Sequence, residues 1–267
     1  MPSPYKTTDV TTVKKDRLKN VYWLEQTESD VPADNDWLSA NEAIRLNAMR
    51  IPKRRADWRL GRWTAKSALS SYLHLPAALD SFKDMEICAA PDGAPEAFVD
   101  RHPAAVAISL SHSFGKAICV VAASNLHLGC DLERIEPRSP AFVADYFTKT
   151  EQTRITQALA EDRNRLVTLL WSAKESALKA LRAGLRLDTR SVVVDPFVPS
   201  FDLNVWSPLN VRYVGQGLPE GRLAGDHIFN GWWRATDSIV RTLVAAPAPD
   251  LPIPLKVPQF ALDSLLS

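Results

Sequence analysis

The feature that most restricts this chain is an apolar run that closes on two carboxylates, Leu126-His127-Leu128-Gly129-Cys130-Asp131-Leu132-Glu133. It reads as a strand turning polar at its end. Residues i and i+2 of a strand share a face, so Asp131 and Glu133 point the same way. Two carboxylates side by side repel each other unless a cation lies between them. A second stretch, Trp171-Ser172-Ala173-Lys174-Glu175-Ser176-Ala177-Leu178-Lys179, lies in a helical run expected over residues 164–182 and stopped by Gly184. Trp171, Glu175 and Lys179 fall four apart on one helix face. Taken alone, Glu175 and Lys179 are a favourably ordered i,i+4 ion pair on a solvated surface. Taken with the strand, Glu175 completes a hard oxygen site of the kind Mg²⁺ prefers. Lys179 then stands where it can balance negative charge on a substrate. Three carboxylates and a lysine suit phosphoryl chemistry, in which positioning and charge neutralisation do most of the catalytic work.

Composition bounds the alternatives. The chain has 267 residues, of which 46% are hydrophobic and 24% charged, so it can bury a substantial core. A net charge of +1 gives no global field to argue for nucleic acid or a membrane surface. Cys88, Cys119 and Cys130 lie in apolar runs without a C-x-x-C pair, the pattern of buried free thiols in a reducing cytoplasm. Met1-Pro2-Ser3-Pro4-Tyr5-Lys6 lacks the apolar core of a signal peptide, and no stretch is apolar enough to span a bilayer.

Along the chain, residues 1–19 read as a mobile polar segment. Val21-Tyr22-Trp23-Leu24 reads as the first strand. A helix follows through Met49, with Leu38, Ile44 and Leu46 toward a core. Pro52 opens a further helix to Leu73. Seven of the residues from 50 to 66 are basic (Arg50, Lys53, Arg54, Arg55, Arg59, Arg62 and Lys66), and four of them fall at spacings of three and four. This face is either solvated or opposed by a multiply charged phosphate. Ala90-Pro91-Asp92-Gly93-Ala94-Pro95 is a turn by residue chemistry. Residues 106–113 and 117–123 form a hairpin across a short Gly-containing loop. Ser139-Pro140 and Thr148-x-x-Glu151 open two helices. Phe142, Val143, Tyr146 and Phe147 between them either pack or form an apolar patch. Later strands are expected at 192–194, 201–206, 211–214, 228–235 and 239–246, before a proline-rich tail that either follows the surface or hangs free.

Gly129-Cys130-Asp131-Leu132-Glu133 with Trp171-Ser172-Ala173-Lys174-Glu175-Ser176-Ala177-Leu178-Lys179 resembles the signature of the 4′-phosphopantetheinyl transferases, and the length points to the larger, monomeric Sfp-like group. Ser111-His112-Ser113 matches the family's S-H-S. The 90–95 turn is similar to its G-K-P segment, with Ala94 where a lysine often stands, so any charge contact at that position is absent. The resemblance implies two similar α+β halves related by a pseudo-twofold: residues 20–127, basic and binding coenzyme A, and residues 128–247, carrying the metal and catalytic carboxylates. Residues 1–19 and 248–267 flank them. It implies Mg²⁺, with Mn²⁺ as a substitute, held by Asp131, Glu133 and Glu175. It implies coenzyme A contacts at Arg54, Arg55, Arg62, Gly93, Ser111, His112, Asp131 and Lys179, and catalytic roles for Glu175 and Lys179. The expected activity moves the phosphopantetheine arm of coenzyme A to a serine of an apo acyl or peptidyl carrier protein, releasing adenosine 3′,5′-bisphosphate. The expected enzyme is a cytoplasmic monomer without nucleic-acid or membrane partners. Two rivals stand beside it: another Mg²⁺-dependent enzyme of phosphoryl or pyrophosphate bonds, and a non-catalytic module that binds coenzyme A or a carrier. A Ser-His hydrolase is weaker, since no Gly-x-Ser-x-Gly elbow is present.

Overall fold

A computed structural model describes residues 19–76, 78–196, 204–215 and 227–257. Among these residues the chain is a mixed α+β fold built on two main sheets. The first has the order β12-β1-β6-β5, from β1 (Val21–Thr27), β5 (Val106–Ser113), β6 (Lys116–Ala123) and β12 (Ile253–Pro254). The second has the order β7-β11-β10-β9-β8, from β7 (His127–Arg134), β8 (Val192–Pro196), β9 (Ser207–Tyr213), β10 (His227–Ala235) and β11 (Ile239–Ala246). A small sheet of β2 (Met85–Ala89), β3 (Pro95–Val99) and β4 (His102–Pro103) stands beside the first.

The burial pattern explains the layering. β6 and β11 are buried on both faces, which is why they read as unbroken apolar runs rather than alternating ones. One core forms where α2 (Pro52–Leu73) covers the first sheet through Trp63, Ala65 and Leu69, and a second where α6 (Ala160–Ala180) covers the second sheet through Leu170, Ala173 and Ala177. The third lies between the sheets, where Ile118 and Val120 meet Cys130, Leu132 and Leu243. The sheets also meet edge to edge. The Ser109 hydroxyl of β5 accepts from the Cys130 backbone N–H of β7 at 3.0 Å. No ladder joins these two strands, so serine side chains supply the bonds that backbone groups would otherwise make.

In each half the same Glu–Lys device ties a helix to a neighbouring strand, β2 of the small sheet in one and β8 of the second sheet in the other. Ser39 caps α1 (Ala40–Ala48), and Glu42 at its third position returns a bond to the Ser39 N–H. The other Glu42 oxygen accepts from Ile87 N of β2 at 3.1 Å, and the fully buried Lys66 of α2 pairs with the carboxylate. Lys66 also donates to the carbonyls of Trp37 and Phe82. In the other half, Thr148 caps α5 (Lys149–Gln157), and Glu151 returns its bond at 2.8 Å. Glu151 also accepts from Val194 N of β8 at 3.0 Å and pairs with the fully buried Lys174 of α6 at 3.0 Å. Lys174 donates to the carbonyls of Thr189 and Val192. A buried lysine is tolerable here because every proton has an acceptor and its charge has a carboxylate.

Several expectations change. Ile44 is 69% exposed and faces solvent, while Leu38 and Leu46 are buried: two positions apart on α1, Ile44 and Leu46 lie on nearly opposite faces, and only one of them can point to the core. The main helix starts earlier, at Ala160, and ends at Ala180, two residues before the expected Arg182. Residues 201–203 lie outside the described part and 204–206 are not strand; the strand there is β9. Cys88 is half-buried rather than buried. Residues 1–18 and 258–267 are outside the described part, but the near portion of the tail has a definite course. Ile253 and Pro254 pair in parallel with Tyr22 and Trp23 of β1, so the tail returns to the first sheet and covers its edge.

Candidate active site

The site forms where β7 meets α6, and one glycine allows the contact. A Cβ on Gly129 would lie 1.9 Å from the Ser176 carbonyl oxygen and 2.7 Å from the Ala180 nitrogen. Only a residue without a side chain lets the helix backbone lie this close to the strand. Ser172 and Ser176 hold the same helix face to β11 through the Thr242 hydroxyl, at 2.9 and 2.7 Å. The helix is thereby fixed in position and rotation, and Trp171, Glu175 and Lys179 face the polar end of β7.

Asp131 is the centre of the resulting network and is 4% exposed. Its Oδ1 accepts from the Lys179 ammonium at 2.8 Å and from the Ser111 hydroxyl at 2.8 Å. Lys179 also donates to the Cys130 carbonyl at 3.0 Å. Oδ2 of Asp131 is buried and has no hydrogen-bond partner among the described residues. Glu133 accepts from the Trp171 indole N–H at 3.2 Å and faces the Arg138 guanidinium at 3.5 Å. Glu175 makes no hydrogen bond or ion pair among the described residues.

The electrostatics follow from this crowding. Burial, then the Asp131 charge, pushes the Glu133 carboxyl up to about 7. The same two causes raise the Glu175 carboxyl. Burial opposes the charge on Lys179, yet Asp131 and the groups around it hold its pKa above the usual lysine value. Glu133 and Glu175 each feel the Asp131 charge beside Lys179, so negative charge is concentrated around Asp131. The group that would relieve it is a cation: the partnerless Asp131 Oδ2, with Glu175 alongside, is a hard oxygen set of the right chemistry. Among the described residues no group of three or more His, Cys, Asp or Glu side chains is arranged to hold a metal ion. Mg²⁺ keeps several waters and takes one or two carboxylates together with substrate phosphates.

The basic helix differs from the open cationic face expected of it. Lys66 is in the core with Glu42. Arg62 is held 3.9 Å from Glu42 and stacks over the Trp58 ring at 4.8 Å. Arg59 donates to the carbonyls of Pro32, Ala33 and Asp34, and Arg55 to those of Leu46 and Met49 at the end of α1. Arg54 is exposed, with no ion pair or hydrogen bond among the described residues. His112 stands at the end of β5 with its ring 4.0 Å from where a Cβ on Gly61 would sit. Partial burial lowers its pKa, with Asp57 acting in the opposite direction.

A cleft of about 610 Å³ runs from Lys179, between β5 and β7, to the turn that carries Gly93. Gly93 has φ +89°, a conformation that glycine adopts freely. The turn is closed by Ala90 N–H to Ala94 O at 2.8 Å and by Ala94 N–H to the Asp92 carboxylate at 3.1 Å. Arg182 faces the same turn across the cleft. Neither Arg182 nor Gly129 was picked out as functional from sequence. Gly129 carried a signal, a lone glycine inside an apolar strand.

Residues 127–215, which contain β7, α6 and the whole carboxylate–lysine network, match the model of the 4′-phosphopantetheinyl transferase superfamily. The 4′-phosphopantetheinyl transferase HetI of Nostoc sp. (strain PCC 7120) is 27% identical over 181 residues, covering 66% of this chain and 73% of that one. Over these residues the chain is similar to the 4′-phosphopantetheinyl transferases. The family-matched segment contains the strand–helix contact that Gly129 permits, and Ser111 adds a hydroxyl from outside that segment. None of its helices is long and apolar enough to cross a membrane, among the described residues.

Proposed function

We propose that this transferase moves the 4′-phosphopantetheine arm of coenzyme A onto a serine of an apo acyl or peptidyl carrier protein, in a Mg²⁺-dependent reaction that releases adenosine 3′,5′-bisphosphate. The observation that carries the reading is the buried, partnerless Oδ2 of Asp131 beside Glu133, Glu175 and Lys179. Asp131 and Glu175 would hold Mg²⁺, with Glu133 completing the acidic set. When bound, the ion neutralises charge on the pyrophosphate and on the departing bisphosphate. The carrier serine oxygen forms a bond to the β-phosphorus of coenzyme A, the bond from that phosphorus to the bridging oxygen breaks, and the serine proton passes to Glu175. Lys179 stays protonated and offers its N–H groups to the phosphoryl oxygens. The cleft beyond Lys179 takes the nucleotide, with its backbone turn at Gly93 against the base. Ser111 and His112 lie toward the phosphates, and Arg54, Arg55 and Arg62 toward the 3′-phosphate end. Of these three, Arg54 is the most available.

The repeated Glu–Lys device, Glu42 with Lys66 and Glu151 with Lys174, supports reading residues 20–127 and 128–247 as two related halves of an Sfp-like monomer acting in the cytoplasm. The test is direct. Purified protein, coenzyme A and Mg²⁺ are incubated with a panel of apo carrier domains, and each carrier is weighed by mass spectrometry. A mass gain of one phosphopantetheine, abolished by a chelator, is expected. No gain on any carrier overturns the reading.

A further inference from the structure

The end of α6 holds a residue in an unfavourable conformation. The helix closes with Ala183 N–H to Leu178 O at 3.0 Å and Arg182 N–H to Lys179 O at 2.9 Å, the paired bonds of a Schellman ending. Such an ending places its first non-helical residue in the left-handed region, which glycine adopts freely and side-chain-bearing residues resist. Here that position is Arg182, with φ +53°. A strained arginine persists only where the surroundings fix it. The fixing contacts are plain: Nε donates to Asp92 Oδ2 at 2.9 Å, and a terminal nitrogen donates to Asp92 Oδ1 at 3.2 Å and to Glu96 Oε1 at 3.0 Å. Asp92 is in the Gly93 turn and Glu96 is the second residue of β3, so the fork joins the end of α6 to a different sheet. Arg182, Asp92 and Glu96 all line the cleft that starts at Lys179.

We propose that Arg182 is a positioning residue: its fork across the cleft fixes the Asp92–Pro95 turn as a preformed wall and screens two carboxylates from an anionic ligand. The inference rests on reading the cleft as the coenzyme A site. Two physical effects act together. A turn ordered beforehand need not be ordered at binding. In addition, removing the arginine would take a positive charge away from Asp92 and Glu96 at the rim of a site for a polyphosphate. Ala94 has no charge of its own to offset them, so Arg182 is the cation that faces this turn. The residue touches no reacting atom, so its effect belongs to affinity and not to the chemical step.

The test compares wild type with Arg182→Gly and Arg182→Lys. Glycine relieves the left-handed backbone, so Arg182→Gly keeps or raises the melting temperature, and loss of binding cannot be assigned to unfolding. Calorimetric titration with coenzyme A should show affinity weakened about tenfold in Arg182→Gly, roughly the cost of ordering a few side chains of the turn at binding. Lysine keeps the charge without the fork and should recover part of the loss. In carrier labelling, KM for coenzyme A should rise with kcat unchanged. Hydrogen exchange at the Gly93 and Ala94 amides should speed up in ligand-free Arg182→Gly. Wild-type affinity in Arg182→Gly, or unchanged exchange in the turn, overturns the proposal. Failure of wild type itself to bind coenzyme A overturns instead the reading on which it rests.

Discussion

Replacing Gly129 by alanine tests whether the approach of helix to strand makes the site. The added Cβ would stand 1.9 Å from the Ser176 carbonyl oxygen and 2.7 Å from the Ala180 nitrogen, and both are backbone atoms that cannot rotate away. Carbon and oxygen need at least about 3 Å even in a tight contact, so α6 must retreat by roughly 1 Å. The Lys179–Asp131 bond of 2.8 Å and the Ser176–Thr242 bond of 2.7 Å would each pass beyond bonding distance. Overpacking of this kind costs about 1–3 kcal/mol, and a rigid backbone neighbour places this case at the upper end. For a chain of this size that lowers the melting temperature by roughly 6–12 °C. A 1 Å displacement of catalytic groups also costs about 10²-fold in rate, so the variant should be slow even well below its melting point. Differential scanning calorimetry and carrier labelling at low temperature read the two effects separately. A Gly129→Ala protein that melts with wild type and transfers at the wild-type rate would refute the reasoning.

Three further outcomes follow from the same geometry. Lys174→Ala leaves the Glu151 carboxylate buried without its cation and should cost about 3–5 kcal/mol in denaturant unfolding, although Lys174 touches nothing in the cleft. The Glu133 carboxyl is raised in the fold, so the folded state binds the extra proton and stability falls as pH rises from the ordinary carboxylate range to about 7, then levels. Melting curves in chelator should show this slope in wild type and a flatter one in Glu133→Gln. Added Mg²⁺ should raise the melting temperature at neutral pH in wild type and not in Asp131→Asn, because only the intact acid offers the partnerless oxygen an ion would take.

What the sequence makes legible is what depends on short-range pattern. Pro52 and the helical spacing of Trp58, Ala65 and Leu69 mark α2 from its first residue to its last. Alternation along β7 puts Asp131 and Glu133 on one side, and Phe114-Gly115 marks the hairpin, both residues taking positive φ. What stays hidden depends on partners far along the chain. A basic helix looks the same whether its arginines await phosphate or cap another helix. Only the fold shows Arg59 bound to carbonyls at 32–34 and Lys66 sunk onto Glu42. The two capping boxes are readable as helix starts, but the second carboxylate oxygen of Glu42 and of Glu151 finds its strand more than forty residues away. Arg241 inside the apolar strand β11 signals a buried partner, and its identity, Glu25 of β1, comes only from the packing of the two sheets. The clasp at Arg182 belongs to the same class, since nothing near it in sequence names Asp92.

Carrier labelling followed by intact-mass measurement, with wild type set against Asp131→Ala and Glu175→Ala, bears most directly on the central claim. Phosphopantetheine gain with wild type and its disappearance in both variants, each still folded by calorimetry, is the result that the convergence of strand and helix requires. Undiminished gain in either variant would mean that the chemistry is done by other groups.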